Sequence, residues 1–132
     1  KSMTILYVDD DPDDRQLFLE AVKSIDDTII CATAIDGLDC LSWLESHKSP
    51  DVVFMDINMP LMDGKTCLTE IKTNRKTSQL PVIIFTTSNN PDEKRECTHI
   101  GAADYVLKPP SYLQMREILI AIFRSREYTP IA

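Results

Sequence analysis

The chain has 132 residues, within the usual range for one domain and short for two domains with separate hydrophobic cores. Its formal net charge is −7, and an acidic surface disfavours binding to nucleic acid or to anionic membranes. No apolar run approaches the roughly 20 residues that span a bilayer, and the N-terminus lacks a signal-peptide pattern. We therefore expect one cytoplasmic domain, covering residues 3–127, with no output domain.

The cysteines, at positions 31, 40, 67 and 97, have no C-x-x-C spacing and no paired histidines. A zinc site or a disulfide framework is therefore not expected. The pattern fits reduced, mostly buried thiols in a cytosolic protein better.

Segments rich in apolar residues predict β-strands, and amphipathic segments separate them. The predicted strands are Thr4–Val8, Thr28–Thr33, Asp51–Met55, Pro81–Phe85 and Asp104–Leu107. Most of these segments are nearly continuous apolar runs, which is typical of parallel strands covered on both faces. The alternation predicts an α/β fold: a doubly wound five-stranded parallel sheet with helices on both faces, for which 2-1-3-4-5 is a common strand order.

The segments between or after the strands are predicted helices with recognisable starts. The start signals are Asp11-Pro12, Asp36, Asn90-Pro91 and Ser111, and the third helix is predicted to begin after Gly64. The second helix is predicted to present Leu38, Leu41 and Leu44 on one face, and the fifth to run to about Arg126. The fourth helix is poor in apolar residues, so we expect an element of low local stability.

In an open parallel sheet of this kind, ligands bind at the carboxyl ends of the strands. Asp9 and Asp10 follow the first predicted strand, Asp56 follows the third, Thr86 the fourth and Lys108 the fifth. Acids, a hydroxyl and a lysine from four strands are therefore predicted to meet at one edge of the sheet.

This combination of side chains suits phosphoryl chemistry. Carboxylates a few ångströms apart repel each other unless one is protonated or a cation neutralises them. Mg²⁺ prefers oxygen ligands and keeps waters for phosphate, and Lys108 offers a compact charge to a phosphoryl oxygen. A carboxylate can attack phosphorus to give an acyl phosphate. By contrast, capping and interaction with the helix dipole account more simply for Asp11, Asp13 and Asp14.

Four motifs occur in order along the chain: Ile5–Asp11, Asp51–Gly64, Leu80–Thr86 and Gly101–Pro109. With these motifs the chain resembles, over nearly its whole length, the receiver domain of bacterial two-component response regulators. The resemblance implies a flavodoxin-like fold, as in chemotaxis regulators. It also implies a signalling phosphoprotein rather than an enzyme.

The resemblance assigns roles to the residues at the strand ends. Asp56 would accept a phosphoryl group from a sensor histidine kinase or a histidine phosphotransfer protein. Asp10 would bind Mg²⁺ directly and Asp9 largely through water, with Asp56 and the backbone carbonyl of Asn58 as further ligands. Lys108 would pair with the phosphoryl group.

The resemblance also implies a switch, in which Thr86 moves toward the phosphoryl group and Tyr105 swings inward behind it. A downstream protein would then bind the fourth helix, the fifth strand and the fifth helix. Asn58, Thr87 and Ser88 would tune hydrolysis of the acyl phosphate. The fifth helix is apolar beyond a single stripe, so a homodimer interface, a partner surface and wide burial all stay open.

The loop after the fifth strand has two notable prolines. The resemblance implies a cis peptide bond between Lys108 and Pro109. Pro110 stands where such domains often have an aromatic residue, so we expect a stiff loop.

Two alternative functions are weaker. A phosphohydrolase of the haloacid dehalogenase type is suggested by Asp9-x-Asp11, but that family expects Thr or Val where this chain has Asp13. A degenerate receiver that acts only as a binding module would lack the acceptor, the acidic pair or the lysine, and this chain has all of them.

Overall fold

The computed structural model describes residues 3–125, and it contains a five-stranded parallel sheet in the predicted order β2-β1-β3-β4-β5. The strands are β1 (Thr4–Val8), β2 (Ile30–Ala34), β3 (Val52–Met55), β4 (Val82–Thr86) and β5 (Asp104–Leu107). The helices are α1 (Pro12–Ile25), α2 (Gly37–Ser46), α3 (Gly64–Thr73), α4 (Pro91–Ile100) and α5 (Tyr112–Arg124). The predicted α/β fold is confirmed, while the expected end of the last helix at Arg126 lies outside the described residues.

The second strand begins two residues later than predicted, at Ile30 rather than Thr28. The reason is a local turn, because the Thr28 backbone N–H and side-chain hydroxyl both donate to Asp26 Oδ1, at 2.9 and 2.6 Å. An Asp side chain that binds the backbone two residues later competes with strand pairing.

The helix-start signals correspond to side-chain caps. Asp11 Oδ1 accepts from the N–H groups of Asp13 and Asp14, and Asp36, Asn90 and Ser111 each accept from a backbone N–H two or three residues later. The third helix is capped by Asp63, directly before Gly64.

The apolar face predicted for α2 is partly wrong. Leu38 is half exposed, whereas Cys40 is fully buried and Leu41 and Leu44 pack beside it. A helix turns by about 100° per residue, so a stripe centred on Cys40 carries Leu38 toward solvent.

Alternate residues of each central strand enter two separate cores, as the two-residue period of a strand requires. In β1, Leu6 and Val8 pack with residues of α2, α3 and α4. Ile5 and Tyr7 pack on the other face with residues of α1 and α5. The sheet is therefore covered on both sides, and its carboxyl edge remains open between the layers. Within residues 3–125, no helix has the length and apolar character to cross a bilayer.

Candidate functional site

Neighbouring strands hold Asp9 and Asp56 side by side. Val8 and Met55 are register partners in the parallel pair of β1 and β3, and each acid directly follows one of them. The backbone ladder continues through both, because Asp9 N–H donates to Ala34 O at 3.1 Å and Asp56 N–H to Val8 O at 3.0 Å. The two carboxylates thus extend from hydrogen-bonded backbone rather than from a loose loop.

Asp9, Asp10 and Asp56 form one acidic cluster, in which a carboxylate oxygen of each lies within 4.8 Å of the others. Asp9 is fully buried, Asp56 is nearly so, and Asp10 is exposed. The donor set is all oxygen and open to solvent on the Asp10 side. These features fit a hard divalent ion such as Mg²⁺, which binds a few carboxylates and retains water.

Lys108 connects this cluster to the opposite side of the site. Its Nζ donates to Asp9 Oδ2 at 2.6 Å, to Asp56 Oδ2 at 2.9 Å and to Asp14 Oδ2 at 2.9 Å. Burial alone would lower the pKa of Lys108, but the hydrogen bonds to the three carboxylates outweigh it and raise the pKa above its usual value. The amine therefore stays protonated and partly neutralises the acids around it.

Asp9 is held in place on both carboxylate oxygens. Tyr7 Oη donates to Asp9 Oδ2 at 2.8 Å, and the backbone N–H of Asp11 donates to Oδ1 at 3.0 Å. Arg15 fixes the backbone, because its Nη1 donates to Asp9 O at 2.8 Å. Burial and the nearby charge of Asp9 raise the pKa of Tyr7, so its hydroxyl remains a donor.

Asp56 is less constrained than Asp9. Its Oδ2 accepts from Lys108, and among the described residues its Oδ1 accepts only a long bond, 3.3 Å, from the backbone N–H of Asn58. Gly64 closes the loop behind it by donating from N–H to Ile57 O at 2.8 Å. A Cβ at position 64 would overlap the carbonyl oxygen of Asp56 and come within 2.7 Å of Ile57 Cα. The Asp63-Gly64 motif is therefore a packing requirement of the loop that carries Asp56.

The predicted switch residues lie along β4 and β5. Thr86 is buried, and its Oγ1 accepts from the Ser88 N–H at 3.3 Å. Tyr105 is half-buried, and its Oη already donates to Ser88 O at 2.8 Å. Lys108 N–H donates to Thr86 O at 2.8 Å, which links Lys108 to Thr86 through the backbone. Thr87 and Asn58 are exposed beside the site.

Helix α4 is attached to this region mainly by polar contacts. Glu93 accepts a hydrogen bond from Ser88 Oγ, and Lys65 Nζ lies 3.1 Å from Glu96 and 3.9 Å from Glu93. Cys97 is its one fully buried residue. The expectation of little apolar burial in α4 agrees with this arrangement.

The expectation of a cis bond between Lys108 and Pro109 is wrong, because no described peptide bond is cis. The trans form of an X–Pro bond is favoured by about 0.5–1 kcal/mol. Lys108 reaches all three carboxylates from the trans backbone, so none of these contacts requires the less stable isomer.

Sequence reasoning missed three residues that contact the site. The sequence predicts a helix-start role for Asp14, yet its carboxylate binds Lys108. An acid in the first turn of a helix is explained by the helix dipole alone, so the local sequence does not indicate this contact. The local sequence predicts an ordinary buried aromatic residue for Tyr7 and an ordinary acid at a helix start for Glu93. Nothing in it indicates that either residue contacts the site.

Comparisons with known proteins agree with this geometry. The family model for the response regulator receiver domain matches residues 5–121. A two-component response regulator, ORR8 of Oryza sativa subsp. indica, is 33% identical over 87% of this chain and 93% of its own length. Three other curated relatives are longer, and the chain spans 51%, 34% and 31% of them.

Two solved structures are similar over nearly the whole chain. The manganese-bound form of response regulator Rcp1 has a TM-score of 0.85 and 26% identity, covering 98% of this chain and 97% of its own. The phosphorylated cyanobacterial phytochrome response regulator RcpA has a TM-score of 0.90 and 25% identity, covering 99% and 100%.

Proposed function

Because the chain belongs to the response regulator receiver domain family, whose members are phosphorylated on aspartate in two-component signalling, we propose that it accepts a phosphoryl group on Asp56. The observation that carries the proposal is the contact of Lys108 Nζ with both Asp56 and Asp9 at the carboxyl edge of the sheet. The phosphorylated state of RcpA, a structural relative, supports it. The donor would be the phosphohistidine of a histidine kinase or of a phosphotransfer protein.

The surroundings of the acids favour Asp56 over Asp9 as the nucleophile. Asp9 is completely buried, and both of its carboxylate oxygens accept short hydrogen bonds from Tyr7, Lys108 and Asp11. Asp56 retains some exposure and has one oxygen with only a weak partner. A free lone pair is what an attack on phosphorus requires. This contrast also argues against the phosphohydrolase alternative, which needs Asp9 as nucleophile.

In the proposed transfer, an Asp56 oxygen forms a bond to phosphorus while the bond from phosphorus to the donor's imidazole nitrogen breaks. The leaving ring keeps the electron pair. Lys108 offsets the negative charge that arrives with the phosphoryl oxygens. Asp9, fixed by Tyr7 and Arg15, holds the lysine in line with the acceptor.

We propose Mg²⁺ as the cofactor, held by Asp9, Asp10 and Asp56 with the backbone carbonyl of Asn58. The all-oxygen donor set and the spacing of the three carboxylates support this choice, as does the manganese-bound state of Rcp1. When bound, the ion would neutralise the acids and the phosphoryl oxygens together.

We propose that phosphorylation of Asp56 moves first Thr86 and then Tyr105. The change would then reach the surface formed by α4, β5 and α5, where a downstream protein would bind. The existing bond from Tyr105 to Ser88 and the weak apolar attachment of α4 support this route. Asn58, Thr87 and Ser88 would set the lifetime of the acyl phosphate. We also propose that two copies of the chain form a homodimer through the apolar face of α5. We propose a cytoplasmic location, with neither nucleic acid nor membrane as a partner, given the charge of −7.

The test is incubation with acetyl phosphate and Mg²⁺, followed by mass spectrometry of the intact chain and of its peptides. We expect one added phosphoryl group on Asp56, absent without Mg²⁺ and in Asp56→Asn. Asp13→Asn is the matched control, since it removes an exposed acid from the same edge without touching the cluster. A phosphoryl group on Asp9 would contradict the proposal and favour the phosphohydrolase. Absence of any phosphoryl group in the wild type would contradict it and favour the degenerate receiver.

A further inference from the structure

The side chain of Lys108 uses all of its hydrogen-bond donors. A lysine ammonium carries three N–H groups, and Nζ of Lys108 donates to three carboxylates, those of Asp9, Asp14 and Asp56. Pairing with a phosphoryl oxygen on Asp56 therefore requires that one of these bonds be given up. The three partners are not equally easy to release.

Asp9 is the hardest to release. It is fully buried, so losing the lysine would leave a carboxylate charge away from water. Asp56 is the acceptor itself and remains beside the lysine after the transfer. Asp14 differs from both, because its side chain is 34% exposed and its carboxylate has no hydrogen-bond partner other than Lys108 among the described residues. Its released oxygen would be solvated directly.

We propose that Asp14 is the exchangeable partner of Lys108, which the incoming phosphoryl group displaces. Asp14 is thereby a positioning residue that acts through the lysine. Its carboxylate binds Nζ in the free protein and therefore competes with phosphoryl oxygens for the same N–H group. This inference rests on the proposed function, and it adds a residue that restrains phosphorylation rather than promoting it.

The competition has a predicted direction. Asp14→Asn keeps the size of the side chain but removes its charge, so the bond to Lys108 weakens and one source of repulsion toward a phosphoryl donor disappears. We expect phosphorylation by acetyl phosphate to become about two- to fivefold faster, which is the factor that corresponds to the free energy of a partly exposed ion pair. Beryllofluoride, which mimics the bound phosphoryl group, should bind more tightly by a similar factor.

The matched control is Asp13→Asn. Asp13 precedes Asp14, is exposed, carries the same charge and makes no contact with Lys108. Asp13→Asn should change the phosphorylation rate and the beryllofluoride affinity much less, since it alters only the electrostatic field at a distance from the site. Asp14→Glu, which keeps the charge and can reach the lysine through a longer side chain, should return the rate toward that of the wild type.

The experiment measures phosphorylation rates over a range of acetyl phosphate concentrations, and beryllofluoride affinity by calorimetry with Mg²⁺ present. Slower phosphorylation in Asp14→Asn, or equal acceleration in Asp14→Asn and Asp13→Asn, would overturn the inference while leaving the proposed function intact. Absence of phosphate incorporation in the wild type would instead overturn the proposed function. If Asp14→Asn folds poorly, the phosphorylation rate of Asp14→Glu is compared with that of the wild type. We expect similar rates, and a faster rate in Asp14→Glu would count against the inference.

Discussion

The central strands are stabilised by apolar burial, whereas the α4–β5 edge of the molecule depends more on polar contacts at the surface. Every residue of β3 is buried, as are four of the five in β1. By contrast, no residue of β5 is fully buried, and α4 buries only Cys97. Helix α4 is attached instead through the ion pair between its Glu96 and Lys65 of α3, and through the hydrogen bond from Ser88 Oγ to its Glu93.

This difference separates the site from the element that we propose responds to it. Asp9 and Asp56 extend from buried central strands, which are the elements that resist local opening most, so we expect their separation to be well defined. Helix α4 buries only Cys97 and otherwise depends largely on exposed charges, which contribute little stability, so we expect a small change beside it to shift its position. Lys108 joins the two regions, since its side chain reaches the acids and its backbone N–H binds Thr86 O.

The largest expected effect is on the central core. Phe18 is fully buried and stacks on Tyr7 with ring centroids 4.0 Å apart. Phe18→Ala should lower the free energy of unfolding by about 3–5 kcal/mol, because it leaves a cavity among aromatic rings. Urea denaturation measures the loss. Cys97→Ala, at the buried position of α4, is the comparison and should cost clearly less; equal losses would break the contrast between the two regions.

A smaller but more local effect is expected at Gly64. Gly64→Ala should destabilise the fold by about 1–3 kcal/mol, since the added Cβ must push against the backbone of Asp56 and Ile57. It should also reduce phosphate incorporation, because the acceptor moves. Thermal melts and the acetyl phosphate assay check both effects. Thr66→Ala, an exposed position in the same helix, is the control, and wild-type behaviour of Gly64→Ala would show that the loop is not tightly packed.

The acidic cluster gives an effect of opposite sign. In EDTA, Asp10→Asn should raise the melting temperature slightly, by the equivalent of about 0.5 kcal/mol, since one of three crowded carboxylates becomes neutral. The same variant should bind Mg²⁺ more weakly. Added salt should shrink the difference in melting temperature, because the cluster opens to solvent at Asp10. Identical melting temperatures for variant and wild type would argue that the acids are not crowded.

The smallest effect is at the α3–α4 ion pair. Glu96→Gln should leave global stability unchanged within error, because the pair with Lys65 is exposed. Amide hydrogen exchange in α4 should nevertheless become faster. Glu70→Gln, an exposed acid on α3, provides the control. If neither variant alters exchange in α4, the ion pair does not restrain the helix.

Much of this arrangement follows from the sequence, because strand and helix signals are local. The alternation of strands and helices, and the caps at Asp11 and Asp36, follow from period and capping chemistry. The meeting of Asp9, Asp56 and Lys108 follows from the geometry of parallel sheets, whereas the strand order is expected only because it is common in sheets of this class. The later start of β2 depends on a side-chain turn at Asp26, which competes with pairing. The role of Asp14 depends on a contact between residues 94 positions apart in the chain, which no local pattern encodes.

Hydrogen exchange with and without beryllofluoride and Mg²⁺ tests the central claim most directly. The expected result is altered exchange in α4 and β5 with no change in β1 and β3, and no response at all in Asp56→Asn. A response spread through the central strands, or an α4 that exchanges at the same rate in both states, would contradict a rigid phosphorylation site coupled to a weakly held edge.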